Sequence, residues 1–404
     1  MKILLVSQVF HPEDFKCNDL AFELSRQGHQ ITVLAAIPNY PRGKFFDGYG
    51  VFRRRHEVVN GVEVIRALVV PRGKGGALRL SLNYLSFAFF SLFIALWLAL
   101  FRRFDMVMVH QVSPVTMGIP AVVVKKIQRI PMYFWVLDLW PESLMAGGGI
   151  TNKYVLGAFG ALTRWFYRNS KRILISSRGF RDSISTMGDF DERMEYFPNW
   201  IDKDFDKASN ESIPQLPQGF IVMFAGNIGE AQNFEALMRS AVLLRERRDV
   251  HFVFVGDGRK RAWVEEEIAR EGLADTVHCL GRYPLNTMPK FFAAANLLLV
   301  SLKDEPIFRL TAPAKIQAYM SSGRPIVAMM NGEGGRLVEE AQCGFAVAAD
   351  DADALAATIC RAADMSAEEL NAMGLRGQVY CAKHFTLEQR MAQLYQMFEQ
   401  DNLL

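Results

Sequence analysis

The feature that most constrains the fold is a regular alternation of short apolar runs with longer segments of helical character along all 404 residues. Such runs are typical of buried parallel strands, and the segments between them can form the crossover helices. The predicted strands are residues 3–6, 31–35, 62–69, 106–110, 133–137, 173–175 and 195–197, followed by 220–225, 251–255, 277–280, 297–301, 325–329 and 345–347. The pattern predicts an α/β fold of two Rossmann-like, doubly wound domains that face a cleft.

The chain length also favours two domains, since one domain commonly has roughly 100 to 200 residues. A linker is expected where Pro198-Asn-Trp-Ile-Asp202 and a polar stretch precede Gly219. We therefore predict an N-terminal domain over residues 1–200 and a C-terminal domain over 201–386. A final helix over 387–404 is expected to pack back toward the N-terminal domain.

Charge is divided unevenly between the two halves. Residues 1–200 carry 25 Lys and Arg against 15 Asp and Glu, whereas residues 201–404 carry 21 against 28. A basic half can meet nucleic acid, an anionic membrane surface or an anionic ligand. No nucleic-acid motif accompanies these basic residues, so no nucleic-acid partner is expected. The five scattered cysteines form no C-x-x-C pair, which argues against a disulfide framework and a zinc site.

The stretch from Leu80 to Phe101 contains no charged residue and is almost wholly apolar from Phe87 onward. About 20 such residues can span a bilayer. However, the strands predicted on either side, 62–69 and 106–110, belong to one sheet, and a membrane cannot split a sheet. Two alternatives remain: a helix buried in the protein, or a helix that lies in the membrane interface.

The flanking residues favour the interfacial alternative. Trp97 suits a membrane interface. Cations that can meet anionic head groups stand on both sides of the run, at Arg72, Lys74, Arg79, Arg102 and Arg103. The N-terminus lacks the features of a signal peptide and resembles a first strand. We therefore expect a cytoplasmic protein that associates peripherally, through segment 78–103, with the inner face of the cytoplasmic membrane.

Two glycine-rich turns follow predicted strands in the second half. Gly226 and Gly229 follow the first strand of that half, and Gly256 and Gly258 follow the second. Backbone N–H groups in such turns can bind phosphate at a helix N-terminus, although tight packing of strand on helix is the alternative. No G-x-G-x-x-G follows the first strand of the chain, which argues against a dinucleotide oxidoreductase.

A third turn carries fixed positive charge. Arg309 and Lys315 precede or open a helix, where cations can neutralise a leaving diphosphate; solvated surface cations are the alternative. The loop Asn331-Gly-Glu-Gly-Gly335 again suggests a cradle for an oxygen-rich ligand.

Taken in order, five motifs resemble the retaining GT-B glycosyltransferases of family four: Gly226-Asn-Ile-Gly229, Val255-Gly-Asp-Gly258, Leu280-Gly-Arg-Tyr-Pro284, residues 313–326 and Asn331-Gly-Glu333. In the first half, residues 28–34, 38–43 and 138–143 resemble the branch that includes L-fucosamine transferases of O-antigen and capsule assembly.

This resemblance implies retaining transfer of a sugar from a UDP-sugar to a polyprenyl-pyrophosphate-linked glycan. An N-acetylated deoxyamino sugar such as L-FucNAc is the expected sugar. The resemblance also implies no metal and no other cofactor, with the acceptor on the first domain and the donor on the second. A nucleotide-sugar epimerase of the same fold and a noncatalytic nucleotide-sugar binder are the alternatives. A soluble epimerase has no lipid-linked acceptor and little use for the apolar segment 80–101.

The resemblance carries over to individual residues. The expected catalytic residues are His110, Asp138, Glu142, Arg309 and Lys315. The expected donor-binding residues are Gly226, Asn227, Gly229, Gly256, Gly258, Arg282, Lys315, Gly332, Glu333, Gly334 and Glu339. Glu13 and Asp14 are expected on an acceptor-side loop, with helix N-terminal carboxylates as the alternative. His110 and Asp138 also have structural alternatives, as a buried histidine and as a turn cap.

The sequence departs from the family pattern at three places. Ala318 and Leu310 stand where the family has paired glutamates, so the ribose contact is expected from Glu333 or Glu339. Gln232 stands near the place of the family's lysine. The first loop has residues 11–16 in place of a Gly-Gly pair. The acidic run 202–206, which superficially resembles a metal-binding D-x-D, is expected to be a solvated linker.

Overall fold

Two β-sheets organise the chain, and each belongs to a separate unit. The computed structural model describes residues 1–73, 76–201 and 211–404. Unit 1 consists of residues 1–198 and 390–404, and unit 2 consists of residues 199–389. Lys74 and the acidic run 202–206 lie outside the described residues.

The sheet of unit 1 has eight strands in the order β3-β4-β2-β1-β5-β6-β7-β8. They are β1 (Lys2–Val6), β2 (Gln30–Ala36), β3 (His56–Val59), β4 (Val62–Ala67), β5 (Met106–Gln111), β6 (Met132–Val136), β7 (Arg172–Ile175) and β8 (Met194–Tyr196). All pairs are parallel except β3 with β4. The sequence analysis missed β3, because this strand has four residues and alternates exposed with half-buried side chains.

Six helices connect these strands, and the last helix of the chain also reaches unit 1. They are α1 (Lys16–Arg26), α2 (Ala77–Phe101), α3 (Ile119–Gln128), α4 (Glu142–Gly148), α5 (Lys153–Asn169) and α6 (Phe180–Met187). The final helix spans Leu387–Gln400. Its carboxyl end is held by Tyr133, whose hydroxyl donates to the carbonyl of Met397 at 3.1 Å and to Asp401 Oδ2 at 2.6 Å.

Helix α2 is a crossover connection, because β4 and β5 lie in the same sheet with β2 and β1 between them. Its inner face is buried at Asn83, Phe87, Ser91, Ala95 and Leu98. Its outer face exposes Leu78, Leu82, Leu85, Phe89, Phe90, Phe93, Leu96, Trp97, Leu100 and Phe101. Within the described ranges, Leu78–Phe101 is the one helix long and apolar enough to cross a membrane by length and composition. The helix is thus buried on one side and apolar on the exposed side.

A buried asparagine fixes the amino-terminal part of α2 to the loops beside it. Asn83 Nδ2 donates to the carbonyl of Val70 at 2.6 Å and to Asn39 Oδ1 at 3.3 Å. Asn83 Oδ1 accepts from Gln8 Nε2 at 2.7 Å. Because both ends of this buried amide are satisfied, three loops at the carboxyl end of the sheet are held together with α2.

The sheet of unit 2 has six parallel strands in the order β11-β10-β9-β12-β13-β14. They are β9 (Phe220–Ala225), β10 (Val250–Val255), β11 (Val277–Gly281), β12 (Leu297–Ser301), β13 (Ile326–Met329) and β14 (Gly344–Val347). The connecting helices are α7 (Phe234–Leu243), α8 (Arg261–Glu271), α9 (Met288–Ala294), α10 (Pro306–Arg309), α11 (Ala314–Ser321), α12 (Glu333–Glu340), α13 (Ala352–Ala363) and α14 (Ala367–His384). We number the final helix α15. Two doubly wound sheets confirm the predicted fold class.

Candidate active site

Strand order reverses once in each sheet, between β1 and β5 in unit 1 and between β9 and β12 in unit 2. At such a reversal the connections on either side leave in opposite directions. A crevice therefore opens beyond the carboxyl ends of the two central strands. The turns after β1, β5, β9 and β12 are thus the first places to search for a ligand site.

The turn after β9 interlocks with the turn after β10. Gly226 N donates to the carbonyl of Val255 at 2.8 Å, and Ile228 N donates to the carbonyl of Asp257 at 2.9 Å. Gly256 has a φ of +145°, and a Cβ on it would lie 1.8 Å from the carbonyl oxygen of Gly226. Only glycine fits there, so the two turns approach each other with bare backbone.

The Lys315 side chain lies directly beneath this turn. A Cβ on Gly226, whose φ is +137°, would lie 2.7 Å from Lys315 Nζ. The ammonium also lies 3.7 Å from the centroid of the Phe224 ring. Within the described residues, Lys315 Nζ makes no ion pair. The strand end is fixed from below by Tyr319, whose hydroxyl accepts from Ala225 N at 2.9 Å.

Burial lowers the pKa of Lys315 to about 7. The Phe224 ring presents its negative face to the ammonium, which favours the charged form but supplies less stabilisation than a carboxylate. The site therefore holds a cation whose charge is incompletely compensated. An anion that binds above Gly226 would supply the missing charge.

A cavity of about 420 Å³ opens beside the same turn at the ends of β9, β10 and β11. Asn227 and Asp257 contribute polar groups, while Tyr283 and Met288 contribute apolar surface. Arg282 lies at its edge and is exposed. The sequence analysis named Asn227 and Arg282 as donor residues. Asp257 and Tyr283 lie within the motifs that it quoted but were not named as donor residues, and Met288 lies outside those motifs.

The other residues predicted to bind the donor or its leaving diphosphate follow β12 and β13, on the other side of the point where the strand order reverses. Arg309 is exposed, and its guanidinium forms a two-pronged ion pair with Asp304 at 2.6 and 2.7 Å. Glu333 is buried in the first turn of α12 and accepts from Arg336 at 2.9 Å. Glu339 is exposed six residues further along α12, about 9 Å from that first turn. The geometry favours Glu333 over Glu339 for a ligand contact.

The α12 turn is also built on glycine. A Cβ on Gly332 would lie 1.9 Å from the carbonyl oxygen of Arg309. A Cβ on Gly334 would lie 2.5 Å from the Met330 side chain. These glycines permit close packing of the loop against its neighbours.

Gln232, which stands near the place of the family's lysine, forms a hydrogen bond with the backbone of its own turn. Its Oε1 accepts from Gly229 N at 3.2 Å. Two lysines that the sequence analysis did not single out lie beside the same turn. Lys260 and Lys303 both approach Glu230, at 3.5 and 3.2 Å. These two cations are compensated by carboxylates, in contrast to Lys315.

In unit 1, His110 is the residue before the end of β5 and is buried between Phe15 and Trp135. The Ser7 hydroxyl donates to the carbonyl of Val9 at 2.7 Å and lies 3.0 Å from His110 Nδ1. Because that hydroxyl has one hydrogen, the pattern assigns the ring proton to Nδ1 and leaves Nε2 as an acceptor. Burial lowers the pKa of His110 to about 3, so the ring is neutral at physiological pH.

Asp138 and Glu142 follow β6, and each carboxylate has a serine partner. Asp138 Oδ2 accepts from the backbone N–H and the hydroxyl of Ser113, both at 2.8 Å. Glu142 accepts from the Ser183 hydroxyl, while its Oε2 is buried with no hydrogen-bond partner among the described residues. That oxygen can accept a hydrogen bond from a ligand hydroxyl.

Glu13 has a structural role in the first loop. Its carboxylate is buried and accepts from the backbone N–H groups of Asn39 and Tyr40, both at 2.7 Å, and of Phe10 at 3.3 Å. Burial raises its pKa, and these three donors oppose the shift. Glu13 therefore positions two loops, whereas Asp14 is exposed beside it.

Arg72, one of the cations expected to meet anionic head groups, lies against two tyrosine rings at the carboxyl end of the unit 1 sheet. Its guanidinium lies 5.0 Å from the Tyr40 ring centroid and 5.5 Å from that of Tyr84. Burial raises the pKa of Tyr84, the charge of Arg72 opposes this, and the charge of Asp138 adds to it. No ion pair to Arg72 occurs in the described part of the chain. The charge of Arg72 also opposes the rise in the pKa of Glu13, so this cation acts on a buried carboxylate as well as on the two tyrosines.

The described residues contain no group of three or more His, Cys, Asp or Glu side chains arranged to hold a metal ion.

Two family models match the chain. The model of the glycosyl transferase 4-like domain matches residues 16–200. The model of glycosyl transferases group 1 matches residues 219–365.

Curated relatives are similar over shorter stretches. WcaI of Escherichia coli (strain K12), which is named as a colanic acid biosynthesis glycosyl transferase, is 27% identical over 292 residues, which cover 68% of this chain and 70% of WcaI. The 2-deoxystreptamine glucosyltransferase of Streptomyces kanamyceticus is 25% identical over 42% of this chain and 45% of its own length.

Solved structures share the fold at low identity. Anabaena HepE in complex with UDP superposes with a TM-score of 0.71 at 16% identity, over 99% of this chain and all of HepE. Sucrose-phosphate synthase from Thermosynechococcus elongatus gives 0.74 at 15% identity, over 99% and 98%. WaaG, a glycosyltransferase involved in lipopolysaccharide biosynthesis, gives 0.63 at 15% identity, over 98% and 99%.

The burial of the Lys315 ammonium leads to a prediction that can be tested on the protein without a ligand. Nuclear magnetic resonance of lysine side chains should show one ammonium that titrates near pH 7, well below the usual value of about 10.4. Lys315→Met should remove that signal. Phe224→Leu should lower the pKa further, because it removes the ring face that favours the charged form. If every lysine titrates above pH 9, the described environment of Lys315 is wrong.

Proposed function

Because the chain is a GT-B glycosyltransferase of the group 1 and 4-like families, we propose that it transfers a sugar from a UDP-sugar to a lipid-linked glycan in surface-polysaccharide assembly. We further propose retention at the anomeric carbon, no requirement for a metal ion, and a polyprenyl pyrophosphate as the lipid carrier. Unit 2 binds the donor and unit 1 binds the acceptor.

The observation that carries the donor assignment is Lys315. Its ammonium lacks an anionic partner among the described residues and lies against the backbone of Gly226, which lines the adjacent cavity. A diphosphate above that backbone would gain N–H donors from the turn, the positive end of α11 and the ammonium together. The adjacent cavity, with Tyr283 and Arg282, has the mixed apolar and polar lining that suits a nucleoside.

These groups suit departure of a diphosphate. During transfer, the bond between the anomeric carbon and the phosphate oxygen breaks, and a bond to the acceptor oxygen forms on the same face. Negative charge accumulates on the leaving phosphate, where Lys315 and the turn N–H groups stabilise it. The leaving phosphate oxygen takes the acceptor proton. Retention then needs no protein nucleophile.

The acceptor assignment depends on the carboxyl end of the unit 1 sheet. Arg72 can bind a phosphate, and Glu142 Oε2 can orient a hydroxyl. His110 Nε2 can accept a hydrogen bond from a sugar hydroxyl, because the ring is neutral and this nitrogen carries no proton. Arg72 lies beside α2, because Val70 N donates to Ser86 Oγ at 2.9 Å. The exposed side of α2 would then accommodate the lipid of the acceptor.

The nature of the sugar is proposed from the sequence motifs. Residues 28–34, 38–43 and 138–143 support an N-acetylated deoxyamino sugar such as L-FucNAc. The name of WcaI, which refers to colanic acid biosynthesis, supports a role in polysaccharide assembly. HepE binds UDP, which supports a UDP-linked donor.

A cytoplasmic location at the inner membrane is also proposed. The observation behind it is the exposed apolar face of α2, which includes Phe93 at 55% and Phe101 at 73% exposure. A contiguous apolar surface of this kind marks a contact with lipid or protein. Arg103 and Arg79, at the two ends of the helix, are exposed and can meet anionic head groups.

Incubation of the chain with a panel of UDP-sugars, including UDP-L-FucNAc, and a polyprenyl-pyrophosphate-linked glycan should give a lengthened lipid-linked product by mass spectrometry. Lys315→Ala should lower the turnover by roughly 100-fold, because the leaving charge loses its buried cation. Lys383→Ala, which removes an exposed lysine of α14 outside the site, is the matched control and should leave turnover within twofold of the wild type.

Three results would contradict parts of this proposal. Lys315→Ala turnover within twofold of the wild type contradicts the donor assignment. Loss of activity with EDTA and rescue by manganese contradict metal independence. Conversion of the UDP-sugar to an epimer without any acceptor product would favour the epimerase alternative.

The membrane assignment predicts that the chain sediments with anionic vesicles. High salt should weaken binding only in part, because the burial of apolar side chains persists. Replacement of Phe90, Phe93 and Trp97 by Ser should release the folded protein into solution while UDP binding is retained. If the folded triple variant sediments as the wild type does, α2 is not the membrane contact.

A further inference from the structure

Unit 1 contains a cavity at the opposite end of its sheet from His110 and Asp138. It has a volume of about 610 Å³ and opens at the amino ends of β6 and β7, next to the residues that precede β8. Ligands of doubly wound sheets bind beyond the carboxyl ends of strands. This cavity is therefore separate from the acceptor site.

Positive charge dominates the lining. Six cations line the cavity, namely Lys125, Arg129, Arg168, Lys171, Arg172 and Arg193, against two carboxylates, Glu192 and Asp401. Arg172 and Asp401 bind each other through two hydrogen bonds, at 3.0 and 2.9 Å, and Arg172 also pairs with Glu195. Lys171 also lies 3.7 Å from Asp401, so Asp401 pairs with two of the six cations. The other four cations line the cavity with one further carboxylate, Glu192.

Helix dipoles explain only some of these cations. Lys125 and Arg168 lie in the last turns of α3 and α5, where a cation is favourable. Arg129 and Lys171 lie beyond those helix ends. Arg129 has a φ of +57°, a conformation that favours glycine or asparagine. Arg129 thus occupies a position whose backbone conformation favours glycine or asparagine.

The cavity is joined to the carboxyl end of α2 by one side chain. Gln128 Nε2 donates to the carbonyls of Ala99 at 3.0 Å and Arg102 at 2.7 Å. The next residue, Arg129, lines the cavity. The exposed side chains of Leu100 and Phe101 lie at the same end of α2. A cationic pocket and an apolar helix end therefore occupy one edge of unit 1.

From this arrangement we propose that the cavity binds the phosphate groups of anionic phospholipid head groups while α2 inserts its apolar face among the acyl chains. The proposal rests on the membrane association proposed above and adds a head-group site to it. Two or more phosphates fit a cavity of this volume, and guanidinium groups bind phosphate through paired N–H donors.

The test measures the binding of the full chain to vesicles of phosphatidylcholine alone and of equal parts phosphatidylcholine and phosphatidylglycerol. The pocket variant combines Arg129→Asn, Arg168→Gln and Lys171→Gln. It should bind the anionic vesicles about 100-fold more weakly than the wild type and the neutral vesicles equally well, since each surface cation contributes about a fivefold effect. Thermal unfolding should show that the variant remains folded, because asparagine tolerates the backbone of residue 129.

A matched control removes the same charge elsewhere in unit 1. Arg53→Gln, Arg54→Asn and Arg164→Gln replace three exposed arginines, and Arg54 has a φ of +47°, close to that of Arg129. Arg164 lies one turn before Arg168 on α5. Because this control has the same net charge as the pocket variant, any difference between them reports the location of the cations.

Two outcomes overturn the proposal: equal binding of anionic vesicles by the pocket and control variants, and equal binding of both vesicle types by the wild type. A third arm titrates inorganic pyrophosphate. If pyrophosphate binds the wild type more tightly than the pocket variant while vesicle binding is unaffected, the ligand is a soluble anion and the lipid assignment is wrong. Membrane association itself fails differently, since the wild type would then bind neither vesicle type.

Discussion

The reversal of strand order in each parallel sheet is the constraint on which the rest of this structure depends. A parallel pair needs a crossover connection, so the reversal between β1 and β5 requires a helix that passes over β2 and β1. Helix α2 is that connection, and its inner face is therefore fixed by packing while its outer face remains apolar and exposed. The same reversal opens the crevice in which His110 and Asp138 lie. One topological feature thus generates both the apolar surface and the crevice that contains His110 and Asp138.

In unit 2 the corresponding reversal places a buried cation below bare backbone. The ends of β9 and β10 can approach closely because Gly226 and Gly256 carry no side chain. Lys315 occupies the space beneath, where burial lowers its pKa to about 7 and Phe224 supplies the nearest favourable contact. A protein rarely buries an amine without an anionic partner unless a ligand supplies one. Under the proposed function, a bound diphosphate would recover part of the free energy lost in burying this charge.

The sequence predicted those features that depend on local pattern. Apolar runs located every strand of unit 2, and strand-end glycines located the turn at Gly226. Features that depend on distant contacts were not predictable. Lys315 was a candidate by its charge, but its contact with Phe224 joins residues far apart in sequence. Glu13 was expected on an acceptor-side loop or as a helix N-terminal carboxylate, and the sequence could not show that its carboxylate accepts from three backbone N–H groups. The cationic cavity of unit 1 was missed because its lining comes from separate segments of the chain.

In the proposed complex, the diphosphate of the donor neutralises the charge of the Lys315 ammonium. Calorimetry of UDP binding tests this most directly. Bound diphosphate should raise the pKa of Lys315 well above 7, so at pH 8 the complex must take up about one proton. Measurement in buffers of different ionisation enthalpy should reveal that uptake in the wild type. Lys315→Arg, which stays charged throughout, should bind UDP without it. Equal proton uptake by the wild type and Lys315→Arg, or none in the wild type, would contradict the account.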